Sequence, residues 1–204
     1  DDDTIAWYKN DGSEGFTKID ITTSADNARS VHAADVDGDG DMDILSASDG
    51  DDTIAWYEND GSETFTKIDI TTYADGAFYV YAVDVDGDGD MDVLSASGGD
   101  DKISWYENDG NENFTEHIIS TSADQASYVY ATDVDGDGDI DVLSASYVDN
   151  KISWYENDGN ENFIEQVIST SAIRAFCVYA EDMDGDGDVD VLSASRDDDK
   201  ISWY

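Results

Sequence analysis

Apolar residues in this chain come in short alternating runs, not in helical turns. In Thr53–Glu58 (T-I-A-W-Y-E), Ile54 and Trp56 share one face while Ala55 and Tyr57 share the other. That pattern predicts a strand packed on both sides. Asp43–Ser48 (D-I-L-S-A-S) predicts a second such strand, and Ser30–Asp35 a third. Its counterpart Tyr79–Asp84 is richer in aromatic residues. Phe65–Thr71 (F-T-K-I-D-I-T) alternates with more polar residues and predicts an outer strand. Asn59-Asp60-Gly61 before it is a hairpin signal. Thr72–Ala77 reads as a linker. No stretch holds a 3.6-residue period over the length of a helix, so helix should be scarce.

The same pattern returns every 49 residues. Trp7, Trp56, Trp105, Trp154 and Trp203 keep that step, each followed by Tyr, and so do Phe16, Phe65, Phe114 and Phe163. A period of about 40–50 residues marks one supersecondary unit stacked on copies of itself. Four antiparallel strands per unit, the inner three apolar on both faces, predict an all-β chain of β-propeller-type blades. A calcium-stapled β-solenoid is the rival, but its repeats are far shorter. The expected division is residues 1–29 (third and fourth strands of one blade), blades at 30–78, 79–127 and 128–176, and 177–204 (first to third strands of the next). The chain thus reads as four consecutive repeats cut from a longer array, such as part of a seven-bladed ring.

Each repeat also carries one aspartate ladder with two glycines. The first is Asp35-Val36-Asp37-Gly38-Asp39-Gly40-Asp41-Met42-Asp43. Calcium takes about six to eight oxygen ligands, and carboxylates spaced by two along a tightly turning chain can converge on one centre. Asp35, Asp37 and Asp39 would each give a side-chain oxygen, Asp41 its backbone carbonyl, and Asp43 would close the shell. Gly40 allows the sharp turn. The other ladders use Asp84, Asp86, Asp88, Asp90 and Asp92; Asp133, Asp135, Asp137, Asp139 and Asp141; and Asp182, Asp184, Asp186, Asp188 and Asp190. The expectation is about one Ca²⁺ per loop. Magnesium wants a smaller octahedral shell, and no His or Cys lies in any loop to suit zinc or copper. Solvated Asp-Gly turns are the plainer alternative. Repetition of all five aspartates in four copies, and the repulsion among them, favour a cation.

Charge narrows the partners. The 204 residues include 51 acidic and 9 basic ones, for a formal net charge of −42. Such a chain repels nucleic acid and anionic membrane surfaces. Strong acidity is common in disorder, but 39% hydrophobic and 11% aromatic residues, repeating in register, predict a packed core. No apolar run reaches membrane-spanning length. Cys177 is the only cysteine and stands where earlier repeats have Ser30, Tyr79 and Tyr128, so it reads as a small buried hydrophobe.

The D-V-D-G-D-G-D-M-D-I-L-S-A-S string, with W-Y-E-N-D-G after it, resembles the FG-GAP repeats of integrin α-subunit propellers. It is more similar still to the bacterial and algal FG-GAP-like repeats often called VCBS repeats. The resemblance covers nearly the whole chain. It implies a β-propeller with calcium in the hairpin between the first and second strands of each blade, at the five aspartates of each ladder. The Gly-Ala-Pro element of the integrin motif is here Ser46-Ala47-Ser48, and the ligand-contacting insertions of integrins have no counterpart. Integrin-type ligand binding is therefore not implied.

No catalytic set can be built from the residues that break the repeat. His32 stands where other repeats have Tyr81, Tyr130 and Tyr179; His117 aligns with Ile19, Ile68 and Gln166 on the variable outer strand. The linkers vary most, at Arg29, Tyr73, Phe78, Ile173, Arg174 and Phe176, and would carry any partner specificity. Asn113-Phe114-Thr115 is a glycosylation sequon. The reading is a non-catalytic, calcium-binding module, extracellular or at the cell surface, structural or adhesive in role. Its partners would be neighbouring repeats or other copies in an assembly or filament, or an extracellular protein or glycan. A lectin-like propeller and an accessory domain of a secreted enzyme are the readings from other classes.

Overall fold

Alternating apolar positions become seventeen strands, and no helix occurs among the described residues. The computed structural model describes residues 2–204. β1 (Ile5–Asn10) pairs with β2 (Phe16–Thr22). β3 (Ala28–Ala34), β4 (Asp43–Ser48), β5 (Thr53–Asn59) and β6 (Phe65–Thr71) form an antiparallel meander in chain order. β7 (Ala77–Val83), β8 (Asp92–Ser97), β9 (Lys102–Asn108) and β10 (Phe114–Ser120) form the next. β11 (Ala126–Thr132), β12 (Asp141–Ser146), β13 (Lys151–Asn157) and β14 (Phe163–Ser169) form the third. β15 (Ala175–Glu181), β16 (Asp190–Ser195) and β17 (Lys200–Trp203) make a three-stranded sheet.

The core lies between the sheets. Leu45, Ile54 and Trp56 of one sheet meet Val80, Ala82, Val93 and Tyr106 of the next. One repeat on, Leu94, Ile103 and Trp105 meet Val129, Ala131, Val142 and Tyr155. Each buried Leu, Ile or Val among them contributes about 1.5–3 kcal/mol. The lead strands β3, β7, β11 and β15 adjoin in succession. A column of rings links them: His32 to Tyr81 at 4.9 Å, Tyr81 to Tyr130 at 5.4 Å, and Tyr130 to Tyr179 at 4.9 Å. His32 thus stands in the ring position its repeat predicts. Cys177, on β15, is half-buried beneath no full cover, so the expected burial is only partial. No backbone pairing joins the first sheet to the last among the described residues, and the stack is an open series of sheets.

Two local features depart from simple alternation. Each lead strand starts about two residues earlier than the sequence pattern suggests and carries a bulge. In β3, Ala28 faces Ser48 and Ser30 faces Ala47, so Arg29 has no partner across the ladder. Phe78, Ser127 and Phe176 are skipped in the same way. A bulge of this kind re-aims its side chain. The β5–β6 hairpin is also longer than Asn-Asp-Gly alone suggests. Asp60 N–H donates to Thr64 O, and Ser62 N–H donates to Asp60 Oδ1. Glu63 as well as Gly61 takes a left-handed φ, 65° and 70°.

Candidate metal centre

The aspartate ladders connect the lead strand to the second strand of each sheet. Their glycines make the turn: Gly38 and Gly40 have φ of 74° and 97°, a region open to glycine at little cost. The backbone then folds onto the carboxylates. Gly40 N–H donates to Asp35 Oδ2 at 3.1 Å, Asp39 N–H to Asp37 Oδ1 at 3.1 Å, and Asp41 N–H to Asp39 Oδ1 at 2.8 Å. The second loop repeats this with Gly89 on Asp84, Asp88 on Asp86 and Asp90 on Asp88.

These bonds gather oxygens. In the first loop Asp35, Asp37 and Asp39 each offer a ligand atom, all within 4.8 Å of one another. In the later loops the group is Asp84, Asp86 and Asp92; Asp133, Asp135 and Asp141; and Asp182, Asp184 and Asp190. The ninth position sits deepest. Asp43, Asp92 and Asp141 are buried, and each carboxylate is held from both sides. Val85 N–H donates to Asp92 Oδ2 at 3.0 Å and Asn108 N–H to Asp92 Oδ1 at 2.7 Å. The seventh position falls outside every group. The Asp41 carboxylate turns toward the neighbouring hairpin, where a Cβ on Gly61 would strike it. That leaves only its backbone carbonyl for a cation.

Asn108 was legible only as a turn residue, yet it buttresses the site. Its Nδ2 also donates to Val36 O of the preceding sheet and to Met91 O, both at 3.2 Å. Asn59 and Asn157 hold Asp43 and Asp141 through the same backbone bond. The signal was there: Asn recurs at 10, 59, 108 and 157, on the 49-residue step.

The donor set suits a hard divalent cation. It is all oxygen, and Asp35 Oδ1 is buried with no hydrogen-bond partner among the described residues. Burial pushes the carboxyls of Asp43, Asp86 and Asp141 up, against the backbone N–H groups that favour their charged forms. Asp92 is pushed up to about 6 by burial, with Asp86 adding repulsion. The sign follows. The fold holds the Asp92 proton more tightly than the unfolded chain, whose carboxyl has an ordinary value of 3.8. Its contribution therefore favours folding below that value and is lost as pH rises through about 6, at a cost of about 3 kcal/mol. Without divalent metal, the melting temperature should fall by roughly 6–12 °C between pH 4 and pH 7. Calcium should flatten that slope. Differential scanning fluorimetry across pH reads both, and a melting temperature that climbs over this range would contradict the argument.

Comparison with known proteins agrees with this organisation. A lectin from Agrocybe aegerita, described as recognising non-reducing terminal N-acetylglucosamine, superposes with a TM-score of 0.59 at 18% identity, over 89% of this chain and 52% of the lectin. The V. cholerae biofilm matrix protein Bap1 superposes with a TM-score of 0.59 at 19% identity, over 91% of this chain and 27% of that protein. A streptogramin B lyase gives 0.62 at 15% identity, over all of this chain and 62% of the lyase. This chain therefore spans between about a quarter and two thirds of each, and at these identities the likeness is one of fold. No curated protein sequence matches the chain. The family model for the FG-GAP-like repeat matches residues 1–46, 35–95, 84–144 and 133–193. Those four overlapping matches take in each aspartate ladder, and the chain belongs to the FG-GAP-like repeat family.

Proposed function

We propose that this chain is a non-catalytic, calcium-binding β-propeller module that acts outside the cell as a structural or adhesive element. The observation that carries the reading is an aspartate cluster in each of the four loops, drawn from ladder positions 1, 3 and 5 in the first and 1, 3 and 9 in the other three. Five carboxylates crowded into nine residues destabilise the fold unless a cation neutralises them. Calcium tolerates an irregular shell of carboxylate and carbonyl oxygens, which is what the loop offers. Positions 1, 3, 5 and 9 would supply carboxylates and position 7 its carbonyl: Asp35, Asp37, Asp39, Asp43 and Asp41 in the first loop. Loops of this type in extracellular modules bind at about 10⁻⁴–10⁻³ M, which free calcium outside cells satisfies.

Uniformity supports the structural role. Three repeats share the strand D-V-L-S-A-S, and the same positions fill every junction between sheets. All five aspartates and both glycines are kept in every loop, and only the second and eighth positions vary, among Val, Met and Ile. A similar fold in part of a biofilm matrix protein supports the same reading. The divisions expected at 29/30, 78/79, 127/128 and 176/177 fall two residues inside the lead strands, so blades taken from Ala28, Ala77, Ala126 and Ala175 would stack with neighbouring repeats or further copies.

Isothermal titration with calcium chloride tests the metal assignment. One ion per loop, four per chain, is the expected stoichiometry. Replacing Asp37→Asn and Asp39→Asn together should lower it to three while the other loops keep their affinity. A chain that takes up no calcium, or a double variant that still binds four, would defeat the ligand assignment.

A further inference from the structure

The four skipped bulge residues gather at the end of the lead strands away from the aspartate loops. Arg29, Phe78, Ser127 and Phe176 come from four successive sheets, yet all line one cavity of about 430 Å³. The Phe78 and Phe176 rings meet edge to face at 5.8 Å and 90°, although a whole sheet separates their strands in sequence. Asp49, Tyr147 and Arg196, which follow the second strands, complete the wall. Each seven-residue lead strand spans about 23 Å, so this cavity and the metal loops occupy opposite faces.

The charge here is the reverse of the chain's. The protein has only three arginines; Arg29 and Arg196 line this cavity, and Arg174 lies over the ring of Tyr147, which also lines it. Arg29 pairs with Asp49 at 2.6 Å and lies over the Phe78 ring at 5.5 Å. Arg174 pairs with Asp197 at 3.0 Å and lies over the Tyr147 ring at 5.2 Å. Arg196 has no acidic partner among the described residues; its Nη1 donates to Tyr147 Oη at 3.3 Å. A guanidinium with no acidic partner keeps its planar fork of donors free for a carboxylate.

We propose that this cavity binds a carboxylate carried on a six-membered ring. The Arg196 fork would take the carboxylate, and Phe78, Phe176 and Tyr147 would take the ring. The volume lies near the lower end of the roughly 300–1,000 Å³ usual for small-molecule pockets, which suits one or two rings. A polyanion would be driven off by the field of the whole chain, and a dianion by Asp49. A single charge fits one free guanidinium. The repeat breaks at this rim: the bulge register reads Arg, Phe, Ser, Phe, and the register after the second strand reads Asp, Gly, Tyr, Arg. A purely structural stack has no need of such differences.

NMR titration in calcium-containing buffer tests this with four probes: D-glucuronate, benzoate, D-glucose and acetate. Glucuronate or benzoate should shift the amides of Phe78, Ser127 and Phe176 saturably; glucose and acetate should bind at least about tenfold more weakly. Whichever ring acid binds tighter identifies an acidic sugar or an aryl acid as the source. Arg196→Gln, an exposed change, should weaken the ring acid about tenfold or more. Lys9→Gln removes the same charge elsewhere and should leave binding unchanged. Equal binding of glucose, equal binding of acetate, no shift with either ring acid, or an unaffected Arg196→Gln variant would each overturn the proposal. Calcium stoichiometry is read separately, so failure of one assignment leaves the other standing.

Discussion

Chelating calcium should lower the melting temperature of this protein by roughly 12–24 °C. At a free concentration ten times the dissociation constant, an ion that binds only the folded state adds about 1.4 kcal/mol per site. Four loops acting together give about 6 kcal/mol, and in a chain of this size each kcal/mol moves the midpoint by roughly 2–4 °C. Burial works in the same direction. Asp92 is fully buried and reluctant to ionise, and Asp43 and Asp141 share its position. Removing the cation exposes that reluctance in full. Circular dichroism melts with calcium and then with excess chelator give the comparison. Midpoints agreeing within about 2 °C would mean that the ladders are merely solvated turns.

The second large effect separates two residues that the sequence treats as equals. Trp105→Ala should cost roughly 3–5 kcal/mol, because Trp105 is fully buried between two sheets. Its ring stacks on His117 at 4.6 Å and meets Phe163 edge to face at 6.4 Å. Trp203 holds the same place in the repeat but is 56% exposed on β17. Trp203→Ala should cost less than about 1 kcal/mol. Urea denaturation followed by circular dichroism measures both. Similar losses in the two variants would show that burial between sheets is not what the tryptophan contributes.

Much of the fold was readable because its causes are local. Ile54 and Trp56 against Ala55 and Tyr57 specify a strand packed on both faces, and a 49-residue period repeats that instruction. The β5–β6 hairpin followed from Asn59-Asp60-Gly61, although its true length depends on the Asp60 side chain bonding to Ser62 and Thr64. The aspartate spacing was readable for the same reason: carboxylates two residues apart in a glycine turn can converge without help from the rest of the chain. Spacing could not say that the fifth position joins the first cluster and the ninth the other three. Ladder position separated the roles of Asp41 and Asp43, but not the cause: Asp41 turns toward Gly61 while Asp43 is locked inward by Val36 and Asn59. The neighbouring hairpin makes that choice.

The arginine-lined cavity lies beyond any local pattern. Arg29, Phe78 and Phe176 stood out as linker residues, but Asp49, Tyr147 and Arg196 did not. Residues 49 positions apart meet only because successive lead strands lie side by side, and because a bulge in each leaves one side chain out of the ladder. Alternation, period and loop chemistry were therefore set by the sequence alone, since each is settled within one repeat. Tertiary structure decided the burial of equivalent tryptophans, the direction of equivalent aspartates and the meeting of distant rim residues. Those depend on contacts between sheets, which no single repeat contains.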